Sequence, residues 1–226
     1  MVTSVSDRAM GAEVVMLDAD AVRRWVRASA DQLAANRDFL TQLDAAIGDA
    51  DHGVNMDRGF SAAVVDLEAT PGSTAGEMLE RVGTTLVYRV GGAAGPLFGS
   101  MYRAVGAAMG SVEWVDGERL LEALRAGLEA VQSLGAAVVG DKTLVDAYEP
   151  ALSALERELH SGGTLATATR RAAEAAREGV RSTIPLQARK GRASYLGARS
   201  VGHQDPGATS TGLLFSALAL VVDEDP

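Results

Sequence analysis

LDAAIGDADHGVN, residues 43–55, places three carboxylates within eight residues, between two segments whose apolar residues recur at helical spacing. The carboxylates are Asp44, Asp49 and Asp51, and Gly48 and Gly53 allow a tight backbone path around them. Because like charges this close repel one another unless a cation or a proton neutralises them, the stretch predicts a divalent cation with oxygen ligands. Mg²⁺ shared between carboxylates and phosphates is a common form of such a site. The alternative is a solvated acidic turn in which Asp49 caps the next helix.

Helical periodicity continues on both sides of this stretch, and no convincing strand alternation is present. The pattern predicts an all-α fold of eight helices in an antiparallel up-and-down bundle or barrel, with the unusual loops collected at one end. Asp18 is the expected cap of the first helix, and Thr74 with Glu77 forms a capping-box pattern. The predicted helices are 18–43, 55–67, 74–90, 96–110, 116–135, 143–160, 164–182 and 207–222.

Composition limits the classes of function. The chain has 226 residues and no cysteine, so thiol catalysis is excluded. Its formal charge of −9 argues against a nucleic-acid partner, because binding to phosphate backbones requires positive charge. Residues 1–17 resemble a loose leader without a signal-peptide pattern, and 18–226 are expected to form one domain. The longest apolar run, 212–222, is about half a membrane span. We therefore expect a cytoplasmic protein without a membrane partner.

Three further segments carry candidate chemistry. The loop Gly91–Pro96 precedes a helix and predicts an anion site made of backbone N–H groups, with a tight interhelical turn as the alternative. The turn around Lys142 resembles a Walker loop, but Asp141 separates glycine from lysine and no strand precedes it, so a P-loop is rejected. Three roles remain open for Lys142: an ion-pair partner of Asp141, a phosphate ligand or a solvated cation. The run 187–192 adds three cations suited to phosphate, within the breaker-rich segment 187–206.

Four blocks together resemble the ADP-binding L subunits of bacterial dihydroxyacetone kinases. They read LDAAIGDADHGVNMDRGF (43–60), GGAAGPLFG (91–99), GDKTLVDA (140–147) and QARKGRASYLGARSVGHQDPGATS (187–210). The resemblance implies an eight-helix antiparallel barrel that binds ADP or ATP and two Mg²⁺ ions at one end. It also implies two partners: a separate subunit that carries dihydroxyacetone on its own histidine, and a phosphocarrier subunit of the phosphotransferase system.

The resemblance also implies roles for individual residues. Asp44, Asp49 and Asp51 match metal ligands. Two positions depart from the usual pattern. Ala94 replaces a frequent serine, which removes a hydroxyl but keeps the backbone N–H donor. Leu144 replaces a frequent methionine, which conserves the side-chain volume. The positions that match nucleotide contacts are His52, Gly53, Val54, Asn55, Ala93, Ala94, Gly135, Leu144, Arg192, Asp205, Pro206 and Gly207.

These observations predict metal-assisted phosphoryl transfer, in which positioning and charge neutralisation dominate. No residue is an obvious catalytic base, and no sugar pocket is evident. The first hypothesis is a subunit whose bound ADP is phosphorylated by a phospho-histidine protein and passes the phosphate to dihydroxyacetone. The alternatives are an ATP-dependent kinase subunit for another small ketose and a nucleotide-loaded regulatory module. The oligomeric state, with a homodimer among the options, stays open.

Overall fold

The computed structural model describes residues 16–70 and 73–224, so most of the expected leader lies outside the described residues. Within them the chain is all-α, as predicted, and the extended pairing is confined to one bridge between Leu17 and Val115. The helices are α1 (Ala19–Ala35), α2 (Arg37–Ile47), α3 (His52–Glu68), α4 (Ala75–Arg89), α5 (Ala94–Met109), α6 (Gly117–Gly135), α7 (Val145–His160), α8 (Leu165–Ser182) and α9 (Pro206–Glu224), and a 3₁₀ segment spans Arg192–Ser200.

Side-chain caps start several helices where the sequence predicts them. The Asp18 carboxylate accepts the Ala21 N–H at 2.7 Å and begins α1. Thr74 and Glu77 form the predicted capping box of α4, each accepting the other's backbone N–H. These bonds satisfy N–H groups that have no partner inside the helix, which is why local sequence is enough to locate these helix starts.

The prediction of a single helix over 18–43 is wrong, because this segment contains two helices, α1 and the start of α2. Asn36, with φ −104° and ψ 10°, ends α1 and precedes α2, and its side chain donates to the Gln32 carbonyl at 2.8 Å. Asparagine competes for backbone groups in this way and so favours helix ends. The second helix then runs to Ile47, so Asp44 lies on the last turn of α2.

Other boundaries differ from the prediction by a few residues. The third helix starts at His52 rather than Asn55, and α5 starts at Ala94, so Pro96 is its third residue rather than its first. Proline is tolerated there because first-turn N–H groups lack intrahelical partners. The segment 187–206, predicted to lack regular structure, contains the 3₁₀ segment, which is kinked at Gly197.

The helices pack in a closed circuit. Starting at α1, the contacts run through α3, α4, α5, α6, α7, α8 and α9 and return to α1, while α2 packs on α3, α9 and the 3₁₀ segment. Aromatic rings fill the centre, with Tyr102 5.8 Å from Trp25 and 5.7 Å from Phe60, and Tyr148 5.2 Å from Phe215. Eight helices of the described residues therefore form one circuit of successive contacts, with α2 packed against it.

The helix α9 is more apolar than the sequence prediction allowed. Its 19 residues are long and apolar enough to span a membrane by length and composition, but 67% of the most apolar window is buried inside the protein. The Trp25 indole N–H donates to the Leu214 carbonyl at 3.1 Å and joins α1 to α9 where the circuit closes. Both observations are typical of a central core helix.

Candidate functional site

One cleft collects the unusual loops at a single end of the helices. Its wall is formed by the α2–α3 turn, the glycine loop before α5, the start of α7, the cationic run and the start of α9. All the sequence-predicted site residues line this cleft except Gly53, Val54 and Gly135. Loops far apart in sequence therefore meet, as the up-and-down arrangement predicts.

Three carboxylates form the acidic side of the cleft. One oxygen from each of Asp44, Asp49 and Asp51 lies within 4.8 Å of the others. Ala50, between the two loop aspartates, has φ 63°, a left-handed conformation that alanine rarely adopts and that bends the chain sharply. The cluster consists of oxygen donors alone, which is the ligand set that a hard divalent cation such as Mg²⁺ prefers.

Asp44 is the fixed member of this cluster. It is buried on the last turn of α2, and its Oδ2 accepts the N–H groups of Asp51 at 2.9 Å and His52 at 3.2 Å. A Cβ at Gly48 would lie 2.0 Å from Asp44 Oδ1, so only glycine fits beside this carboxylate. These contacts orient Asp44 before any ligand is bound.

His52 begins α3 and faces the cleft from a buried position. Its Nε2 lies 2.8 Å from the Ser210 hydroxyl on α9, a partner that the sequence did not predict. Burial lowers the pKa of the imidazole, although the Asp44 and Asp51 carboxylates act in the opposite direction. The Ser210 bond indicates that His52 links α3 to α9 beside the carboxylates.

The glycine loop forms the opposite side of the cleft. Gly92 has φ 64°, and Ala93 and Ala94 lead directly into α5. A Cβ at Gly91 would lie 2.8 Å from the Asn55 side chain, so the loop packs tightly on the first turn of α3. The first N–H groups of α5 lack intrahelical partners, and together with the positive end of the helix dipole they favour negative charge at this side of the cleft.

The cationic run reaches the acidic side of the cleft. Arg192 Nη2 lies 3.0 Å from Asp49 Oδ2, and Lys190 and Gly191 line the same wall. Arg189 points elsewhere, with its Nη1 3.9 Å from Asp141 Oδ1. Both partners of the Arg192 pair remain partly exposed, so the contribution of the pair to stability is about 0–1 kcal/mol.

The back wall joins the starts of α7 and α9. Leu144 lies beside Gly207, where a Cβ would be 3.6 Å from the leucine Cβ. Asp205 caps α9, its Oδ2 accepting the Ala208 N–H at 2.7 Å. Burial raises the pKa of Asp205 to about 7, although the Ala208 N–H and the Lys142 ammonium lower it.

The three predicted residues outside the cleft support its walls. A Cβ at Gly53 would lie 2.0 Å from the Arg37 carbonyl, so this glycine lets α3 approach α2. Gly135 is the last residue of α6, and a Cβ at this position would lie 3.4 Å from the Leu97 side chain. Leu97 itself lines the cleft. Val54 is half exposed on α3. The run 187–192, predicted to suit phosphate, contributes Lys190 and Gly191 to the lining, and Lys142, for which a phosphate ligand was one option, also lines the cleft. The sequence did not predict the lining residues Ile47, Leu97, Phe98, Thr143 and Ala193.

Comparison with known proteins gives a consistent result. The DAK2 domain family matches residues 46–220. The chain is 42% identical over 200 residues to the "PEP-dependent dihydroxyacetone kinase, ADP-binding subunit DhaL" of Escherichia coli, covering 88% of this chain and 95% of that protein. It is 39% identical over 207 residues to the "PTS-dependent dihydroxyacetone kinase, ADP-binding subunit DhaL" of Lactococcus lactis, covering 92% and 100% of the two chains.

A solved structure has the same fold. The dihydroxyacetone kinase of C. freundii in complex with AMP-PNP and Mg²⁺ superposes with a TM-score of 0.69 at 24% identity. The match covers 97% of this chain and 37% of that larger one. With the all-helical architecture and the cleft described above, these matches show that the chain belongs to the DAK2 domain family.

Proposed function

We propose that this chain is the nucleotide-binding, phosphoryl-transferring subunit of a dihydroxyacetone kinase, and that the cleft holds ADP or ATP with Mg²⁺. One observation carries the proposal: the carboxylates of Asp44, Asp49 and Asp51 lie in the same cleft as the glycine loop that begins α5. A polyphosphate between them would meet metal-bound carboxylates on one side and backbone N–H groups on the other. The likeness to subunits named as ADP-binding supports this assignment.

The carboxylate cluster fits Mg²⁺, because all three side chains supply oxygen and Asp44 is already oriented by two backbone N–H groups. Asp49 and Asp51 would complete the set from the turn between α2 and α3, and we propose two ions, as the sequence resemblance implies. Bound Mg²⁺ supplies neutralisation of the phosphate charge, which is a principal requirement of phosphoryl transfer. The residues of the chain hold and orient the reactants.

The remaining contacts divide between the two ends of a nucleotide. We propose that Ala93, Ala94 and Arg192 take phosphate charge, together with His52 and Asn55 from the first turn of α3, since all five line the cleft. The Leu144 side chain and the Asp205–Gly207 turn form the less charged back wall, where we place the adenine base. Gly135 lies behind the lining residue Leu97, so we propose that it contributes to the pocket only through that side chain.

The donor and the acceptor of the phosphoryl group are proposed to lie on other subunits. The relatives in Escherichia coli and Lactococcus lactis are named as subunits of PEP-dependent and PTS-dependent kinases, and this chain spans 95% and 100% of them. We therefore propose a dihydroxyacetone-carrying subunit as the acceptor partner and a phosphotransferase-system phosphocarrier as the donor. In this scheme the bound ADP is phosphorylated in place and acts as a cofactor.

A second candidate is an ATP-dependent kinase subunit for a four-carbon ketose. The chain is 35% identical over 211 residues to the "L-erythrulose kinase" of Pectobacterium atrosepticum. It spans only 35% of that protein, whereas it spans nearly all of the separate subunits. The higher identity to the ADP-binding subunit of Escherichia coli, 42% against 35%, favours the first proposal.

Nucleotide retention tests the proposal most directly. The purified protein would be desalted with and without EDTA, then denatured, and the released nucleotide identified by mass spectrometry. Near-stoichiometric ADP that survives desalting but is lost with EDTA is the expected result. Protein that takes up no ADP or ATP in the presence of Mg²⁺ would contradict the proposed function, whereas rapid exchange with labelled ATP would favour the second candidate.

A further inference from the structure

Lys142 occupies an unusual position in the back wall. Its side chain is 1% exposed although the residue lines the cleft, and its backbone has φ 61°, in the left-handed region. A non-glycine residue in that region costs about 1–2 kcal/mol, and such conformations persist where surrounding contacts hold them. A lysine that is both buried and strained therefore calls for a specific set of partners.

Those partners are backbone carbonyls. The Lys142 ammonium donates to the Thr183 carbonyl at 2.7 Å, at the end of α8, and also to the His203 carbonyl, two residues before the Asp205–Gly207 turn. Lysine has three donors, so at least two are used to join segments far apart in sequence. Burial lowers the pKa of the ammonium, and the Asp205 and Asp146 carboxylates act in the opposite direction.

The same junction is supported by neutral hydrogen bonds. The Thr183 hydroxyl accepts the Asp205 N–H at 3.0 Å, and the Gly202 N–H donates to the Ile184 carbonyl at 2.8 Å. On the other side, Asp146 holds the turn that carries Lys142 by accepting the Gly140 N–H at 2.6 Å and the Thr143 N–H at 2.7 Å. The starts of α7 and α9 are thus connected through the lysine side chain.

We propose that Lys142 is a positioning residue that fixes the Asp205–Gly207 turn against the start of α7 and so builds the back wall of the nucleotide cleft, without itself binding phosphate. This inference rests on the proposed nucleotide function of the cleft. It differs from the three options that the sequence left open, because the buried ammonium donates to the Thr183 and His203 carbonyls, whereas Asp141 pairs with Arg189.

Lysine reactivity tests the proposal in the native protein, since Lys142 and Lys190 are the only lysines of the sequence. The probe is an amine-acetylating reagent, applied with and without Mg–ADP and read out by peptide mass spectrometry. Lys190, which is partly exposed, is expected to react in the free protein, whereas Lys142 stays unreactive in both states. A Lys142 that reacts in free protein and is protected by Mg–ADP would identify a phosphate ligand and overturn the proposal.

Substitution tests the positioning role. Lys142→Met keeps an unbranched chain but removes the donors, and Lys142→Arg restores donors that can reach two carbonyls. We expect Lys142→Met to weaken Mg–ADP binding by about 10-fold, the loss that corresponds to about one net hydrogen bond, and Lys142→Arg to recover part of the loss. Hydrogen exchange should increase at 201–207 while α3 and α4 remain unchanged. Arg181→Met, which removes an exposed cation near the end of α8, is the matched control.

The outcomes separate this proposal from the proposed function. Wild-type protein that does not bind Mg–ADP contradicts the proposed function itself. Wild-type protein that binds, with Lys142→Met binding equally well, contradicts only the role of Lys142. Weaker binding of Lys142→Met without faster exchange at 201–207 would show direct contact with the ligand, and would also overturn the positioning role.

Discussion

At the scale of single residues, the carboxylates of the cluster differ in what they do for the fold. The buried Asp44 accepts two backbone N–H groups, whereas the exposed Asp49 forms an ion pair with Arg192. Their sequence spacing makes them equivalent candidate ligands, but their contacts make only Asp44 part of the folded framework. A substitution at either position removes one negative charge, and only one of the two leaves backbone donors without a partner.

A comparison of Asp44→Ala with Asp49→Ala tests this difference. Both variants should lose EDTA-sensitive retention of ADP, because each lacks a proposed metal ligand. In EDTA, where the metal makes no contribution, Asp44→Ala should lower the free energy of unfolding by about 1–3 kcal/mol through its unsatisfied N–H groups, and Asp49→Ala by less than about 1 kcal/mol. Urea unfolding measures both values. Equal stability of the two variants would contradict the structural role of Asp44.

Asp205 makes a pH-dependent contribution at the same scale. Because burial raises its pKa to about 7 from an ordinary value of 3.8, the folded protein keeps a proton there that the unfolded chain loses above pH 4. Stability due to this group is therefore present at low pH and falls as the pH rises from about 4 to 7, by up to about 1.4 kcal/mol per unit.

Asp205→Asn should remove this dependence while keeping an oxygen that accepts the Ala208 N–H. The free energy of unfolding of the variant relative to the wild type should therefore increase between pH 5 and 7 and stay constant above pH 7. Urea titrations at several pH values check the trend. A difference that does not change with pH would show that Asp205 titrates normally.

At the scale of elements, α4 and α5 approach closely because glycines face each other along their contact. A Cβ at Gly83 would lie 2.5 Å from the Gly99 carbonyl, and one at Gly106 would lie 2.4 Å from the Gly76 carbonyl. Each helix carries two of these glycines seven residues apart, which puts them on one face. This contact holds α5 in place, and the N-terminus of α5 forms the anion side of the cleft.

Gly83→Ala should therefore destabilise the protein by about 1–3 kcal/mol, although alanine favours an isolated helix more than glycine does. The neighbouring exposed Thr84→Ala is the matched control, since it changes helix propensity without meeting α5. Thermal unfolding of the two variants separates the effects. If Gly83→Ala is as stable as Thr84→Ala, the helices separate more easily than their close packing indicates.

At the scale of the whole molecule, the cleft is built from five segments that extend from Asp44 to Gly207. A ligand bound there would contact segments that range from α2 to the start of α9. Since it binds only when these segments are assembled, its binding free energy adds to that of folding. Ligand binding is thus expected to protect the entire domain rather than one loop.

Mg–ADP at about 100 times its dissociation constant should raise the free energy of unfolding by about 2.7 kcal/mol, in a single cooperative transition. EDTA should cancel most of the gain if the carboxylate cluster holds the metal. Calorimetry with ADP alone, Mg²⁺ alone and both together measures the effect. A gain that is unchanged by EDTA would mean that the nucleotide binds without the cluster.

The amino-acid sequence by itself determined the features that depend on neighbours along the chain. These are the helical class, the caps at Asp18 and Thr74, and the spacing of the three aspartates, because helix periodicity, capping and charge repulsion act over a few residues. The family resemblance added which distant loops to expect together. Their meeting in one cleft follows from short connections between antiparallel helices.

Only the tertiary structure decided the features that depend on long-range contacts. Lys142 is a turn residue of unspecified role in the sequence, and its burial follows from the Thr183 and His203 carbonyls, 41 and 61 residues away. Gly135 lies next to Leu97 rather than lining the cleft, and the raised pKa of Asp205 results from burial at the start of α9. Burial and long-range hydrogen bonds arise when the helices assemble, so no local pattern records them.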